Sequence, residues 1–392
     1  MGDIFREAQD LFQYSQSLRR DFHSHPELGY QEVRTAGIVA GELQNLGLEV
    51  SSGVARTGVV AMLEGSQPGP VILLRFDMDA LPIQEETGAE YASLSPGIMH
   101  ACGHDAHVAI GLTTARLLVN HREEIKGSIK FVFQPAEEGL GGAEGMLAAG
   151  VLENPKVDLA LALHVWNEKP IGWVGAPSGP LMAGGEIFKV VVTGKGGHGA
   201  LPQETIDPIT AASQIVLALQ TIVSRTLAPL DAGVVSVCQI KAGDAFNIIP
   251  QTAEFSGTIR SFEPAVRAKI IERFEIIVKG IAEATGCQVK WEIKRLTPAV
   301  INDAALSKTV AQTALDIFSD CKLEPSYRVM VSEDMAYMME KVPGCYFMVG
   351  SANVEKGLNY GHHHPRFDID EAALPRASAL MAAAALRALQ RL

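Results

Sequence analysis

Ile129-Lys130-Phe131-Val132-Phe133-Gln134-Pro135-Ala136-Glu137-Glu138-Gly139 reads as a short apolar strand running into a proline and two adjacent carboxylates. The same pattern recurs along the first half of the chain. The apolar run 71–76 is followed by Asp77 and Asp79, and the run 159–163 by His164. Helical patterns over 36–46, 108–118 and 142–149 separate these runs, and an N-terminal helix carries Ile4, Ala8, Leu11, Ser15, Leu18 and Phe22 on one face. Continuous apolar strands alternating with helices point to a sheet covered on both faces, with several parallel neighbours. Ligands in such sheets gather beyond the carboxyl ends of the strands, where these acidic and imidazole groups sit.

Two further clusters carry donors of the same kind. His100-Ala101-Cys102-Gly103-His104-Asp105 packs thiol, imidazole and carboxylate groups around a glycine that lets the backbone bend, and His362-His363-His364-Pro365 lies near the C-terminus. Soft and borderline donors recurring at strand ends are what a transition-metal site requires. Together the clusters point to a metallohydrolase. They supply more donors than the four of a closed structural zinc, which favours two ions sharing a bridging water. Adjacent glutamates on extended backbone would face opposite sides, one toward metal and one toward water or substrate. A carboxylate so placed can take a proton from water and return it to a leaving nitrogen. No Gly-x-Ser-x-Gly elbow and no Walker loop is present, which lowers serine-hydrolase and nucleotide-dependent readings.

From about Gly185 the pattern changes. Strands over 186–192, 234–240, 253–260 and 289–293 and helices after Asp207-Pro208 and over 266–284 follow the order β-α-β-β-α-β of a ferredoxin-like module. A helix over 304–318, a strand over 345–349 and an alanine-rich helix over 374–389 then resume the first pattern. The expected fold is α/β. A discontinuous catalytic domain, 1–184 and 295–392, has a mixed sheet flanked by helices, and an inserted ferredoxin-like lid and dimerisation domain spans 185–294.

A formal charge of -12 argues against nucleic acid and anionic membranes as partners, and no apolar run approaches the roughly 20 residues of a membrane span. The start Met1-Gly2-Asp3-Ile4-Phe5-Arg6 lacks the features of a secretory signal. Five scattered cysteines do not make a disulfide framework, and a cytoplasmic setting is expected. Cys238, Cys287, Cys321 and Cys345 read as small buried hydrophobes, whereas Cys102 stands among polar neighbours.

The segments His23-Ser24-His25-Pro26-Glu27-Leu28, Arg75-Phe76-Asp77-Met78-Asp79-Ala80-Leu81-Pro82, 99–105, 133–139, 162–165 and 363–367 together resemble the peptidase M20 family of metal-dependent amidohydrolases. The resemblance is closest to the branch of hippurate hydrolases, N-acyl-amino-acid amidohydrolases and auxin-conjugate hydrolases. It implies that Cys102, His104, Glu138, His164 and His363 hold two divalent ions, zinc or manganese first and cobalt or nickel as alternatives. It implies that Glu137 is general base and then acid, and that Asp79 orients a metal ligand. Many relatives have a histidine ligand where this chain has Asp77, a departure usual for this branch. Gly196-Gly197-His198-Gly199-Ala200 resembles the family motif whose histidine reaches a neighbouring subunit's active site, and Asn247 and Arg260 match positions that hold the substrate's carboxylate. The implied function is hydrolysis of N-acyl-amino acids by a homodimer. The competing readings are a carboxypeptidase or dipeptidase using the same machinery, and a non-catalytic acyl-amino-acid binding protein.

Overall fold

The computed structural model describes residues 4–390; the Met1-Gly2-Asp3 start lies outside them. The chain forms two compact units. One holds the chain up to Leu181, Ile301–Arg328 and the chain from Asp334 onward; the other holds Met182–Val300 and Val329–Glu333.

The first unit is built on an eight-stranded mixed sheet flanked by helices. Its order is Glu49–Val54, Gly58–Glu64, Lys126–Gln134, Gln67–Asp77, Leu159–Pro170, Gly344–Ala352, Trp173–Gly175 and Lys322–Leu323. The central strands Lys126–Gln134, Gln67–Asp77, Leu159–Pro170 and Gly344–Ala352 run parallel, and the first two strands pair antiparallel at one edge. Every residue of Gly344–Ala352 is buried. That two-sided burial is why these strands appear in the sequence as unbroken apolar runs. In register Asp77 stands beside Gln134, and Arg75 beside both Val132 and Ala162. The polar residues that follow these strands therefore leave the sheet along one edge.

Two helices sink into the core. In Ala373–Leu389 the four residues Ala382 to Ala385 are completely buried, since methyl side chains let a helix approach its neighbours closely. His104–Asn120 lies against the sheet at Gly111, where a Cβ would stand 2.7 Å from Phe76 Cδ2 and 2.8 Å from Phe133 Cε1. Only glycine permits that approach. The expected single N-terminal helix is instead two, Ile4–Asp10 and Phe12–Ser24, because Leu11 turns to ψ 4°. The i→i+4 bonds Leu11 N–H to Glu7 O and Ser15 N–H to Leu11 O survive the bend, so the apolar face continues across it. Glu49–Val54 is a strand that the sequence reading omitted; its mostly exposed residues follow no apolar alternation.

The second unit has strands Gly184–Thr193, Gly233–Ala242, Thr252–Ser261 and Gln288–Thr297, with helices Pro208–Thr221 and Pro264–Ala284. The spatial order is Gly233–Ala242, Thr252–Ser261, Gly184–Thr193, Gln288–Thr297, with every pairing antiparallel, which is the ferredoxin-like arrangement. Asp207 caps its helix, accepting the N–H of Ile209 at 2.8 Å and of Thr210 at 3.4 Å. The unit extends a few residues beyond 185–294, since the last strand stays paired until Thr297 meets Gly185. Cys238 is exposed on the edge strand, contrary to the buried role expected of it, and Cys321 is only half-buried. No helix among the described residues is long and apolar enough to cross a membrane.

A buried ion cluster ties three segments of the first unit together. Arg19, fully buried, lies 2.8 Å from Asp105, 2.6 Å from Asp368 and 3.4 Å from Glu371. Burial alone would raise the Asp105 carboxyl, but Arg19 and then His23 hold it far below the usual carboxylate range. A depressed carboxyl stabilises the fold above its unfolded pKa of about 3.9, and that contribution is lost only as pH falls through the lower folded value. Arg19→Met removes the fully buried cation that these acids share and should cost about 3–5 kcal/mol at pH 7. The difference from wild type should narrow as pH falls toward about 4 and the stranded acids take up protons. Urea unfolding at both pH values checks the size and the sign.

Candidate metal centre

Gly103 decides how the first donors are presented. It adopts φ +90° as the residue that opens the helix His104–Asn120, and a Cβ there would stand 2.6 Å from Val165 Cγ2. Cys102 and His104 thus flank a left-handed glycine at a helix start. One donor atom from each of Cys102, His104 and His164 lies within 4.8 Å of the others. The same is true of Cys102, Glu138 and His363, and of His104, Glu137 and Glu138. Cys102 Sγ is 3.5 Å from His164 Nε2, and His363 Nε2 is 3.2 Å from Glu138 Oε1. The structure therefore brings together all five residues named as ligands, in two triads that share Cys102.

Hydrogen bonds fix which imidazole nitrogens face the cluster. His104 Nδ1 donates to the Asp79 carbonyl at 2.9 Å and lies 3.3 Å from Asp79 Oδ1, while its buried Nε2 has no hydrogen-bond partner. His164 Nδ1 donates to Val165 O at 2.6 Å, leaving Nε2 toward Cys102. A bonded outer nitrogen and a free inner lone pair are the arrangement of metal-ligating histidines. Of the three consecutive histidines only His363 joins the cluster. His362 Nε2 bonds Val165 O at 3.0 Å and its ring stacks on Trp166, while His364 stacks on Tyr360.

Electrostatics supply the second test of fit. Burial would depress His104, but Asp77, Asp79 and Glu138 raise it to about 10. Burial pushes the Cys102 thiol well up, and Glu138, Glu137 and Asp77 push it further. His164 is driven down by burial and by the neighbouring His107 and His362 rings. Neighbouring carboxylates thus raise both His104 and Cys102. A divalent cation among these donors would offset that negative charge and stabilise the thiolate. The donor set fits such an ion.

One expectation needs correction. Glu137 and Glu138 stand in a turn, not on extended backbone, and Ala136 before them adopts φ +56°. Their carboxylates consequently converge on His104 instead of facing opposite sides. Asp77 is paired on both oxygens: Arg75 Nη1 lies 2.5 Å from its Oδ2, which is 3.8 Å from His104 Nε2, and His107 Nδ1 donates to its Oδ1 at 2.5 Å. His107 Nε2 accepts the Val165 N–H at 3.0 Å, so this ring braces the strand end that carries His164. The sequence reading missed His107, although it lies one helical turn beyond His104, on the same helix face. It also missed Asp334, whose Oδ1 accepts from Arg75 Nη2 at 3.0 Å and Gln134 Nε2 at 2.8 Å.

The remaining predicted residues lie in the second unit. His198 pairs with Ile248 in a two-stranded ribbon, next to Asn247, whose carbonyl accepts the Gly199 N–H at 2.9 Å. His198 Nδ1 accepts the Ala200 N–H at 3.0 Å, which places the ring proton on the exposed Nε2. Arg260 is half-buried on Thr252–Ser261, bonds Thr258 Oγ1 and Ile259 O, and makes no ion pair among the described residues.

Residues 73–387 match the peptidase family M20/M25/M40. The chain belongs to that family. This M20 chain is 41% identical over 385 residues to IAA-amino acid hydrolase ILR1-like 4 of Arabidopsis thaliana, covering 96% of the chain and 86% of the relative. It is also 41% identical over 362 residues to thermostable carboxypeptidase 1 of Saccharolobus solfataricus, covering 91% of each. The YXEP protein of Bacillus subtilis, a dinuclear metal binding peptidase of the M20 family, superposes with a TM-score of 0.87 at 36% identity, over 98% of this chain and 100% of that one. This M20 chain is a metal-dependent hydrolase.

Cys102→Ala removes the one donor common to both triads. Metal content after dialysis and hydrolytic activity should fall together, whereas an inert buried cysteine would leave stoichiometry unchanged. Elemental analysis beside an activity assay decides between them.

Proposed function

We propose that this protein hydrolyses the amide bond of N-acyl-amino acids, releasing a carboxylic acid and a free amino acid. The observation that carries the reading is the pair of donor triads sharing Cys102, with Glu137 beside them. Cys102, His104, Glu138, His164 and His363 would hold two divalent ions, zinc or manganese first. Such ions acidify water and polarise a carbonyl oxygen.

The chain's own residues divide the remaining work. Glu137 takes a proton from the attacking water and later gives it to the leaving nitrogen, so the amide and one water become acid and amine. Asp79 holds His104 in the tautomer that presents Nε2, and its Oδ2 accepts the Glu138 N–H at 3.0 Å. His198, with its proton on Nε2, is the donor to the scissile carbonyl oxygen as negative charge builds there. Arg260, a half-buried cation without an acidic partner among the described residues, suits the substrate's carboxylate, and Asn247 is assigned the same role. The auxin-conjugate relative supports an acyl group on the nitrogen, and the carboxypeptidase relative makes a peptidyl group the second reading. Assaying a panel of N-acyl-amino acids against dipeptides, with zinc, manganese, cobalt and nickel each supplied, separates the two.

The working assembly in this reading is a homodimer formed through the second unit. Its support is apolar surface there: Leu217 is 72% exposed, Leu230 99% and Ile240 56%, the last on an edge strand paired on one side only.

Glu137→Gln keeps hydrogen bonding but cannot carry the proton, so turnover should fall by about 10²–10⁴-fold with metal content unchanged. Retention of more than about a tenth of wild-type kcat takes the base role from Glu137. His198→Ala should lose about 10²–10³-fold in kcat with its metals in place. If His198 acts across the interface, mixing the two inactive variants should restore about a quarter of wild-type activity per site, since half the dimers are mixed and half their sites are whole. Absence of recovery despite demonstrated subunit exchange assigns His198 to its own chain.

A further inference from the structure

Glu32 lies outside every donor cluster, yet it is fully buried and both its oxygens are bonded. Oε1 accepts the Ala136 N–H at 2.9 Å and Oε2 accepts the Thr57 hydroxyl at 2.5 Å. Glu32 stands at the N-cap position of the helix Val33–Asn45, but its side chain does not cap that helix. The free amides of Arg34 and Thr35 are taken by Glu27, at 3.0 and 2.8 Å, which leaves the Glu32 carboxylate for another task.

Its partner is an unusual residue. Ala136 is fully buried, adopts φ +56° and immediately precedes Glu137. L side chains avoid this region, and such a conformation persists only where its surroundings over-determine it. Here the amide is held by Glu32, the carbonyl accepts the Gly142 N–H at 3.0 Å, and a Cβ at Gly29 would stand 3.1 Å from Ala136 Cα. Further along the turn, Asp79 holds the Glu138 amide, and the Asp334 N–H reaches Glu137 Oε1 at 3.4 Å. The turn therefore has a fixed exit at Glu138 and a fixed entry at Ala136, and among the described residues Glu32 alone supplies the side-chain bond at the entry.

The geometry points to Glu32 as a positioning residue: through the Ala136 amide it sets the left-handed turn that aims Glu137. This rests on the reading of Glu137 as the base. Glu32 acts through backbone and does not touch substrate. The amide needs a lone pair and not a charge, so a glutamine at this position does the same work while an alanine does not.

The test uses the metal-loaded enzyme in two independent arms. In Glu32→Ala, kcat should drop by about 10²-fold, with KM and metal content close to wild type, as expected when a reacting group is misplaced rather than removed. Glu32→Gln should recover most of that loss. Thr57→Val, which removes one bond from the carboxylate and keeps the other, should show a smaller loss in the same direction and serves if Glu32→Ala does not fold. In a Glu137→Gln background, Glu32→Ala should cost nothing more. The second arm needs no substrate: hydrogen exchange in the peptide containing Ala136 should accelerate in Glu32→Ala and stay slow in Glu32→Gln. Wild-type exchange in Glu32→Ala, a glutamine variant as impaired as the alanine one, or metal loss in step with kcat each overturns the assignment. Should the wild-type enzyme cleave no acyl-amino acid, the substrate reading fails while the exchange arm still decides the role of Glu32.

Discussion

The constraint on which the rest of the first unit depends is buried negative charge. Glu32, Asp77, Asp79, Asp105 and Asp334 are all buried, Asp77 and Asp79 at or just beyond the end of the parallel strand Gln67–Asp77. An unpaired buried carboxylate costs several kcal/mol, so each must be bonded or compensated. Arg19 compensates Asp105 and Asp368, Arg75 compensates Asp77 and Asp334, and backbone amides serve Glu32 and Asp79. At the Cys102, His104, Glu138 cluster the partners are imidazoles instead of guanidinium groups, and these donors suit a divalent cation.

The same accounting explains the two layers of the site. Donor atoms of Cys102, His104, His164, Glu138 and His363 converge, while the Asp79 and Val165 carbonyls hold the His104 and His164 rings from outside and Ala101 O accepts the His363 backbone N–H. His107 is chemically as able to bind metal as His104, yet both its nitrogens are engaged, one by Asp77 and one by the Val165 amide. Its contribution is to hold the strand end that carries His164. Residue type made both histidines candidates; hydrogen bonding separates them.

The turn at Glu137 shows how local strain is put to use. Gln134-Pro135-Ala136 leaves the buried end of a strand, and the left-handed Ala136 redirects the carboxylates that follow. Alanine carries a steric penalty there that glycine would not. The bonds to Ala136 and Glu138 hold that conformation, and it brings two adjacent side chains to one side, which an extended chain cannot do.

Much of this was legible in the sequence. The parallel sheet followed from unbroken apolar runs, the ferredoxin-like order from the spacing and alternation after Gly185, and the helix start at Pro208 from Asp207, because each depends on local periodicity or a local cap. The clusters that hold the five convergent donors stood out as thiol, imidazole and carboxylate groups beside apolar runs or a glycine, and the resemblance to the M20 family singled out the five among them. Asp77 bonding to Arg75 and His107, the reach of Glu32 to Ala136 and the tie from Arg19 to Asp105 were not legible. These contacts join residues tens to hundreds of positions apart in the chain or depend on which rotamer a buried group adopts. Periodicity determines which face of an element is buried; only the packed tertiary structure decides which polar group on that face meets which partner, since desolvation forces every buried charge to find one.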